Sequence, residues 1–301
     1  MGTNDVRIFR FDASSCNGCD IEILGLLALG LPLNELGVRI VDTPQEANTL
    51  IVSGGVNIKS ETELEKAYEL IEQPRRVIAV GSCAASMGIF KGGYTMMGPV
   101  DEIIPVDLYI MGCPPRPQVI ASALDDVLGL GIEGIESLLK TPEGFRGEPV
   151  VNSTKCIGCA ACVNTCPTSA IKISNTDTER TITFTHKDCI SCATCEEICP
   201  SEAVELPYKD KPWFEDKETA KSAATIELKK CLLCELPFVA ARQVDWAVKK
   251  IEEKLRIPEE VHGQLLRASS ICPDCRKKSI NEVKEAKKIL ASIANVSRAP
   301  L

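Results

Sequence analysis

The chain has 301 residues, enough for roughly two domains with cores of their own, and its 45% hydrophobic and 25% charged content is ordinary for a globular protein. A net charge of −8 and 4% aromatic residues argue against a nucleic-acid partner, which needs phosphate-neutralising cations and stacking rings. Sixteen cysteines without a secretory leader, a twin-arginine signal or a myristoylation pattern point to a cytoplasmic chain that uses them as metal ligands rather than in disulfides.

Val6–Phe11 alternates with period two and predicts a strand. It runs into Asp12-Ala-Ser-Ser-Cys16-Asn-Gly-Cys19-Asp20, a turn-rich loop with a C-x-x-C, and Asp20 favours the positive end of the helix that follows. That helix carries Ile21, Leu24, Leu27 and Ala28 and fades near Gly30-Leu-Pro32. The apolar run Ile21–Leu36 is broken by Glu22, Pro32 and Asn34 and is too short to span a bilayer. Strands follow at Val38–Val41 and Thr49–Ser53, then an amphipathic helix at Thr62–Glu72 with Leu64, Ala67, Leu70 and Ile71 on its buried side. Val77–Val80 and Val106–Met111 are continuous apolar strands of the kind covered on both faces, and a helix runs from Gln118 to about Leu130. The alternation of strand and helix gives a doubly wound, flavodoxin-like α/β domain with a mostly parallel sheet.

Cys16 and Cys19, Cys83, and Cys113 each follow the C-terminal end of a predicted strand. Those ends line the ligand crevice of an open parallel sheet, so the four thiols are expected to converge on one site. A 4Fe–4S cluster fits four thiolates there, and zinc or buried structural cysteines are the competing readings.

Gly129–Gly147 reads as a connection, with a boundary near residue 140. Beyond it, Cys156-x-x-Cys159-x-x-Cys162-x-x-x-Cys166-Pro is repeated 33 residues later as Cys189-x-x-Cys192-x-x-Cys195-x-x-x-Cys199-Pro. In this pattern the fourth cysteine of each run reaches the other run's cluster. One 4Fe–4S cluster is therefore assigned to Cys156, Cys159, Cys162 and Cys199, and a second to Cys166, Cys189, Cys192 and Cys195. Ala170–Ile173 and Thr181–Thr185 predict a hairpin between the runs, and Ala203–Leu206 a strand that mirrors its first arm. The result is an α+β two-cluster ferredoxin domain of the bacterial type, over residues 141–210.

Lys209–Lys221 is polar and reads as surface. Cys231-x-x-Cys234 and Cys272-x-x-Cys275 then form two knuckles with 37 residues between them, the pattern of a tetrahedral four-thiolate site for zinc or mononuclear iron, with a fourth cluster as the rival. Pro237–Leu255 predicts a helix with Val244, Val248, Ile251 and Leu255 on one stripe, and Lys277–Ser297 a second, basic-faced one. Residues 211–301 thus read as a small helical tail holding a metal, after domains at 1–140 and 141–210. His186 and His262, the two histidines, read as surface residues rather than ligands.

The motifs Cys16-Asn-Gly-Cys19-Asp-Ile-Glu-Ile, Gly81-Ser-Cys83-Ala and Gly112-Cys113-Pro-Pro-Arg-Pro resemble the small subunit of energy-converting, membrane-bound NiFe hydrogenases. The same domain occurs in the cluster-bearing subunit beside the quinone site of complex I, whose members carry adjacent cysteines at the first motif. The C-x-x-C here favours the hydrogenase branch. Residues from Phe145 to about Lys278 resemble the two-cluster ferredoxin subunit of formate hydrogenlyase, through Phe145-Arg-Gly-Glu-Pro, Cys156-Ile-Gly-Cys-Ala-Ala-Cys, Cys195-Glu-Glu-Ile-Cys-Pro and Cys272-Pro-Asp-Cys-Arg.

The resemblance implies that Cys16, Cys19, Cys83 and Cys113 hold a proximal cluster next to a large subunit carrying nickel and iron. It gives Glu22 a possible place in a proton path, against a plain helix-start glutamate, and lets Arg116 either offset a cluster's charge or anchor its Pro-rich turn. It further implies other peripheral and membrane subunits, attachment on the cytoplasmic side of the membrane, and a ferredoxin or a formate- or CO-oxidising module as electron donor. A complex I-like quinone reductase subunit, a soluble hydrogenase small subunit and an iron–sulfur redox sensor or scaffold are the alternatives.

Overall fold

The structure, a computed structural model, describes residues 5–31, 33–132, 149–207, 213–214, 220–255 and 259–282. Its first half is built on strands β1 (Val6–Asp12), β2 (Val38–Ile40), β3 (Thr49–Ser53), β5 (Arg76–Val80) and β7 (Leu108–Ile110), parallel and side by side in the order β2-β1-β3-β5-β7. This is the flavodoxin-like order, in which the direction of winding switches between β1 and β3. A small antiparallel pair, β4 (Val56–Asn57) with β6 (Met96–Gly98), lies outside the main sheet.

Period-two alternation along the strands sends residues to two separate cores. Ile8, Ile51, Ile78, Leu108 and Ile110 pack against α1 (Gly18–Gly25) and α4 (Pro117–Leu128) through Ile23, Ile120 and Leu124. On the other face Leu50, Val52, Val77, Ala79 and Tyr109 meet α2 (Ser60–Leu70) and α3 (Ser82–Ser86) through Leu64, Ala84 and Ala85. Covering on both faces explains why β3 and β5 read as unbroken apolar runs.

Two expected details differ. Leu70 is exposed, because α2 ends there; extended backbone at Ile71 (ψ 135°) turns that side chain inward instead. Helix α4 stops at Leu128, where Gly129 takes a left-handed φ of 64°.

The second half opens with β8 (Val150–Val151), pairs β9 (Ile171–Asn175) with β10 (Glu179–Thr185) as the expected hairpin, and returns β11 (Val204–Glu205) to β8. The 33-residue repeat is visible in the backbone. Gly158 and Ser191, Ala160 and Ala193, and Ser169 and Glu202 all have φ between 50° and 69° at matching positions, and short helices at Ala161–Thr165 and Thr194–Glu197 lie between the second and third pairs.

Two pieces lie where the sequence suggested surface and helix. Trp213 and Phe214, β12, add an antiparallel edge to the first sheet by pairing with Ile110 and Tyr109. β13 (Ala220–Lys230) and β14 (Pro237–Ala240) extend the ferredoxin hairpin to a sheet of order β14-β13-β10-β9. The alternation Ala224, Ile226, Leu228, all buried, is what makes β13 a strand. The following helix therefore starts at Ala241, not Pro237, and runs to Leu255; Val244 and Val248 are buried while Ile251 faces solvent. Helices at Glu259–Ser269 and Pro273–Glu282 follow it; most of the expected helix 277–297 and most of the connection 129–147 lie outside the described residues.

Candidate metal centres

At the C-terminal edge of the parallel sheet, β1 delivers Cys16 and Cys19, β5 delivers Cys83 and β7 delivers Cys113. Cys16 sits in the loop and Cys19 in the first turn of α1, which Asn17 starts from a left-handed φ of 64°. Cys83 is on α3, and Cys113 follows Gly112. Burial, then Cys83, Cys113 and Cys16 in that order, pushes Cys19 up to about 12. Burial with Cys113 and Cys16 raises Cys83 to about 11. Gly81 is required here: its φ is 90°, and a Cβ on it would run into the Cys19 sulfur.

Asp20 does more than favour a helix start. Its carboxylate accepts from Ser15 Oγ at 2.7 Å and Ser53 Oγ at 2.9 Å and pairs with Arg10 at 3.4 Å, so it fastens the Cys16 loop to the ends of β1 and β3. Glu22 is half-buried on α1, and Arg116 is exposed at the N-cap of α4. Ile21, Leu24 and Leu27 stand out from the same edge, 66%, 46% and 61% exposed, as an apolar face beside the thiols.

The thiols of the two ferredoxin runs perturb one another. Cys156 is raised by burial and then by Cys159 and Cys199; Cys162 reaches about 12 through burial, Cys159 and Cys156. Cys195 reaches about 12 through burial, Cys189, Cys192 and then Cys166. Hydrogen bonds support the sulfurs, from Ser191 N to Cys189 at 3.3 Å, Thr194 Oγ1 to Cys192 at 3.3 Å and Ala203 N to Cys199 at 3.2 Å. Arg242 and Arg180 donate to carbonyls of the Cys156 loop, at Ser153 (2.6 Å) and Gly158 (2.7 Å).

Cys195 adds to the raising of Cys162 after burial, Cys159 and Cys156, and Cys192 to the raising of Cys113 after burial and Cys16. The ferredoxin turn docks on α3: Ser82 Oγ donates to Cys189 O at 2.9 Å, Ser86 Oγ to Lys187 O at 2.6 Å, and Lys91 pairs with Asp188 at 3.8 Å. None of these contacts was legible beforehand, since each joins residues about a hundred positions apart with no shared pattern.

Cys231, Cys234, Cys272 and Cys275 form the tail site, with all four sulfurs within 4.8 Å of one another. A tetrahedral ion bonded at 2.3 Å sets sulfurs about 3.8 Å apart, and Cys234 and Cys272 stand at 3.9 Å. Backbone N–H groups of Leu233 and Cys272 donate to Cys231 Sγ at 3.4 and 3.3 Å. Burial opposes ionisation of Cys231, but the N–H groups of Cys272, Cys234 and Leu233 together bring it down to about 6. The donor set fits one ion. His186 is half-buried against Phe184 (centroids 6.3 Å apart) rather than on the surface, and the side chain of His262 lies outside the described residues.

Residues 16–127 match the family described as the NADH ubiquinone oxidoreductase 20 kDa subunit, and residues 155–203 match the 4Fe–4S dicluster domain. An uncharacterized protein of Methanocaldococcus jannaschii is 41% identical over 138 residues, 46% of this chain and 93% of that one. A probable membrane-bound hydrogenase subunit (mbhJ) of Pyrococcus furiosus is 39% identical over 113 residues, 38% of this chain and 68% of that one. Subunit 7 of the Escherichia coli formate hydrogenlyase is 35% identical over 123 residues, 41% of this chain and 48% of that one.

Proposed function

Since the chain belongs through its first half to the family of the 20 kDa subunit of NADH ubiquinone oxidoreductase, we propose that it is the electron-transfer small subunit of a membrane-attached, energy-converting NiFe hydrogenase complex. Three bound 4Fe–4S clusters would supply one-electron carriage. The residues holding them would be Cys156, Cys159, Cys162 and Cys199 at the outer end, Cys166, Cys189, Cys192 and Cys195 in the middle, and Cys16, Cys19, Cys83 and Cys113 at the inner end. The observation that carries this reading is a ferredoxin turn seated at the inner quartet, where Ser82 Oγ, next to Cys83, donates to Cys189 O at 2.9 Å.

The chain's own work is to hold the thiols in order, keep water from the buried ones and donate hydrogen bonds to their sulfurs, which sets potential. A ferredoxin or a formate- or CO-oxidising partner would deliver electrons at the outer quartet. The large subunit, bearing the nickel–iron site, would cover Ile21, Leu24 and Leu27. Glu22, on the same helix, would then lie at that contact as a proton-path residue. The tail quartet would hold zinc or a mononuclear iron. Among the described residues no helix is long and apolar enough to cross a membrane, so attachment on the cytoplasmic side would come through partner subunits.

A complex I-like quinone reductase is the second reading, favoured by the family's own description. The C-x-x-C at Cys16–Cys19 favours the hydrogenase. Isolation of the native complex through a tag on this chain separates them. Nickel in the complex with hydrogen evolution from reduced viologen is the expected result; quinone reduction without nickel would contradict it.

A further inference from the structure

Ser82 stands where three cysteine-bearing loops meet. It precedes Cys83 in the chain. Its backbone N–H donates to Gly112 O at 2.9 Å, one residue before Cys113. Its hydroxyl proton faces two carbonyl oxygens, Gly112 O at 3.1 Å and Cys189 O at 2.9 Å. The side chain is buried, with 1% of the residue exposed, so no bulk water substitutes for the hydroxyl. Accepting the cluster assignments proposed above, one hydroxyl links a ligand-bearing loop of the middle site to two ligand-bearing loops of the inner site.

We propose that Ser82 is the positioning residue that sets the separation and orientation of the inner and middle cluster sites, by tying the Cys189 carbonyl to the Cys83 and Cys113 loops. Two other contacts hold the same turn. Ser86 Oγ reaches Lys187 O, and Lys91 pairs with Asp188. Both act on residues that carry no thiol, so they keep the turn docked without fixing its cysteines. Loss of the Ser82 hydroxyl leaves the docking in place and frees Cys189–Cys192 to shift against Cys83 and Cys113. A change of about 1 Å in the placement of reacting groups is enough to cost rate in other systems.

The experiment uses the full chain with its metals, as wild type, S82A, S82T and S86A. Pulsed EPR of the fully reduced protein reads the magnetic interaction between the two sites, and freeze-quench after photoreduction reads how fast electrons reach the inner one. S82A is expected to weaken the interaction and slow arrival several-fold at wild-type iron content and unchanged potentials. S82T, which keeps the hydroxyl, is expected to behave as wild type, and S86A likewise. A wild-type interaction and rate in S82A overturns the proposal, as does an equal loss in S86A, which marks general docking. If S82A loses iron, S82T against the isosteric S82V decides, and equal behaviour of that pair overturns it too. Failure of the cluster reading itself shows earlier and separately, as wild-type protein without the iron and signals of two neighbouring clusters.

Discussion

Cys234 Sγ and Cys272 Sγ, brought together from knuckles on either side of two helices, lie 3.9 Å apart. The edge of a tetrahedral thiolate site around one ion is about that long. C234S is expected to remove one metal ion per chain and to leave the iron held elsewhere unchanged, read by metal analysis of the purified variant. Loss of several irons with the substitution would mean a cluster sits there instead.

Exchange of the fourth cysteines gives the next expectation. C166S is expected to damage the site made by Cys189, Cys192 and Cys195, and C199S the site made by Cys156, Cys159 and Cys162. EPR with site-assigned signals checks this, using C189S and C156S as references. C166S matching C156S would reverse the assignment.

Gly81 is the tightest point of the inner quartet. G81A forces a side chain onto the Cys19 sulfur at a φ of 90°. It is expected to lower the iron content of the first half by a whole cluster while the ferredoxin signals persist.

Metal-free protein should show the cost of ionising buried thiols. Cys19, Cys162 and Cys195 are raised from 9.0 to about 12 and Cys83 to about 11, in each case first by burial. A raised thiol keeps its proton in the folded state after the unfolded chain has lost it, so stability present below pH 9 is lost as the pH rises toward 12. Urea midpoints of the chelated, reduced chain are expected to rise between about pH 6 and 9, where Cys231 ionises in the folded state before it does in the unfolded chain, and to fall steadily above pH 9.

Asp20 carries a structural prediction of its own. D20A strips Ser15, Ser53 and Arg10 of a shared acceptor and is expected to cost about 1–3 kcal/mol in denaturant unfolding. D20E, with its longer arm, should recover part of that.

What the sequence could reveal was whatever repeats or is local. The parallel strands of the first half showed as apolar runs ending in cysteines, and the ferredoxin as a pattern copied 33 residues on. The copied left-handed positions, such as Ala160 and Ala193, were implicit in that repeat. β12 was hidden because two residues leave no periodicity, and its pairing with Ile110 and Tyr109 is a long-range event. β13 was readable in Ala224, Ile226 and Leu228, but the lysines and acids around them masked the alternation. Pro237 suggested a helix start by its suitability for a first turn; pairing with Lys230 puts it on an edge strand, a place proline also tolerates. Ser82 and Ser86 had no sequence signal at all, since their partners come from the other domain.

The central claim is a wire of three cubanes with one separate ion, and metal stoichiometry tests it most directly. Iron, zinc and acid-labile sulfide should be measured on the anaerobically purified full chain. Three clusters and one ion predict about twelve cluster irons, about twelve sulfides and one further metal. About eight irons would contradict the inner cluster, and about sixteen would contradict the single-ion tail.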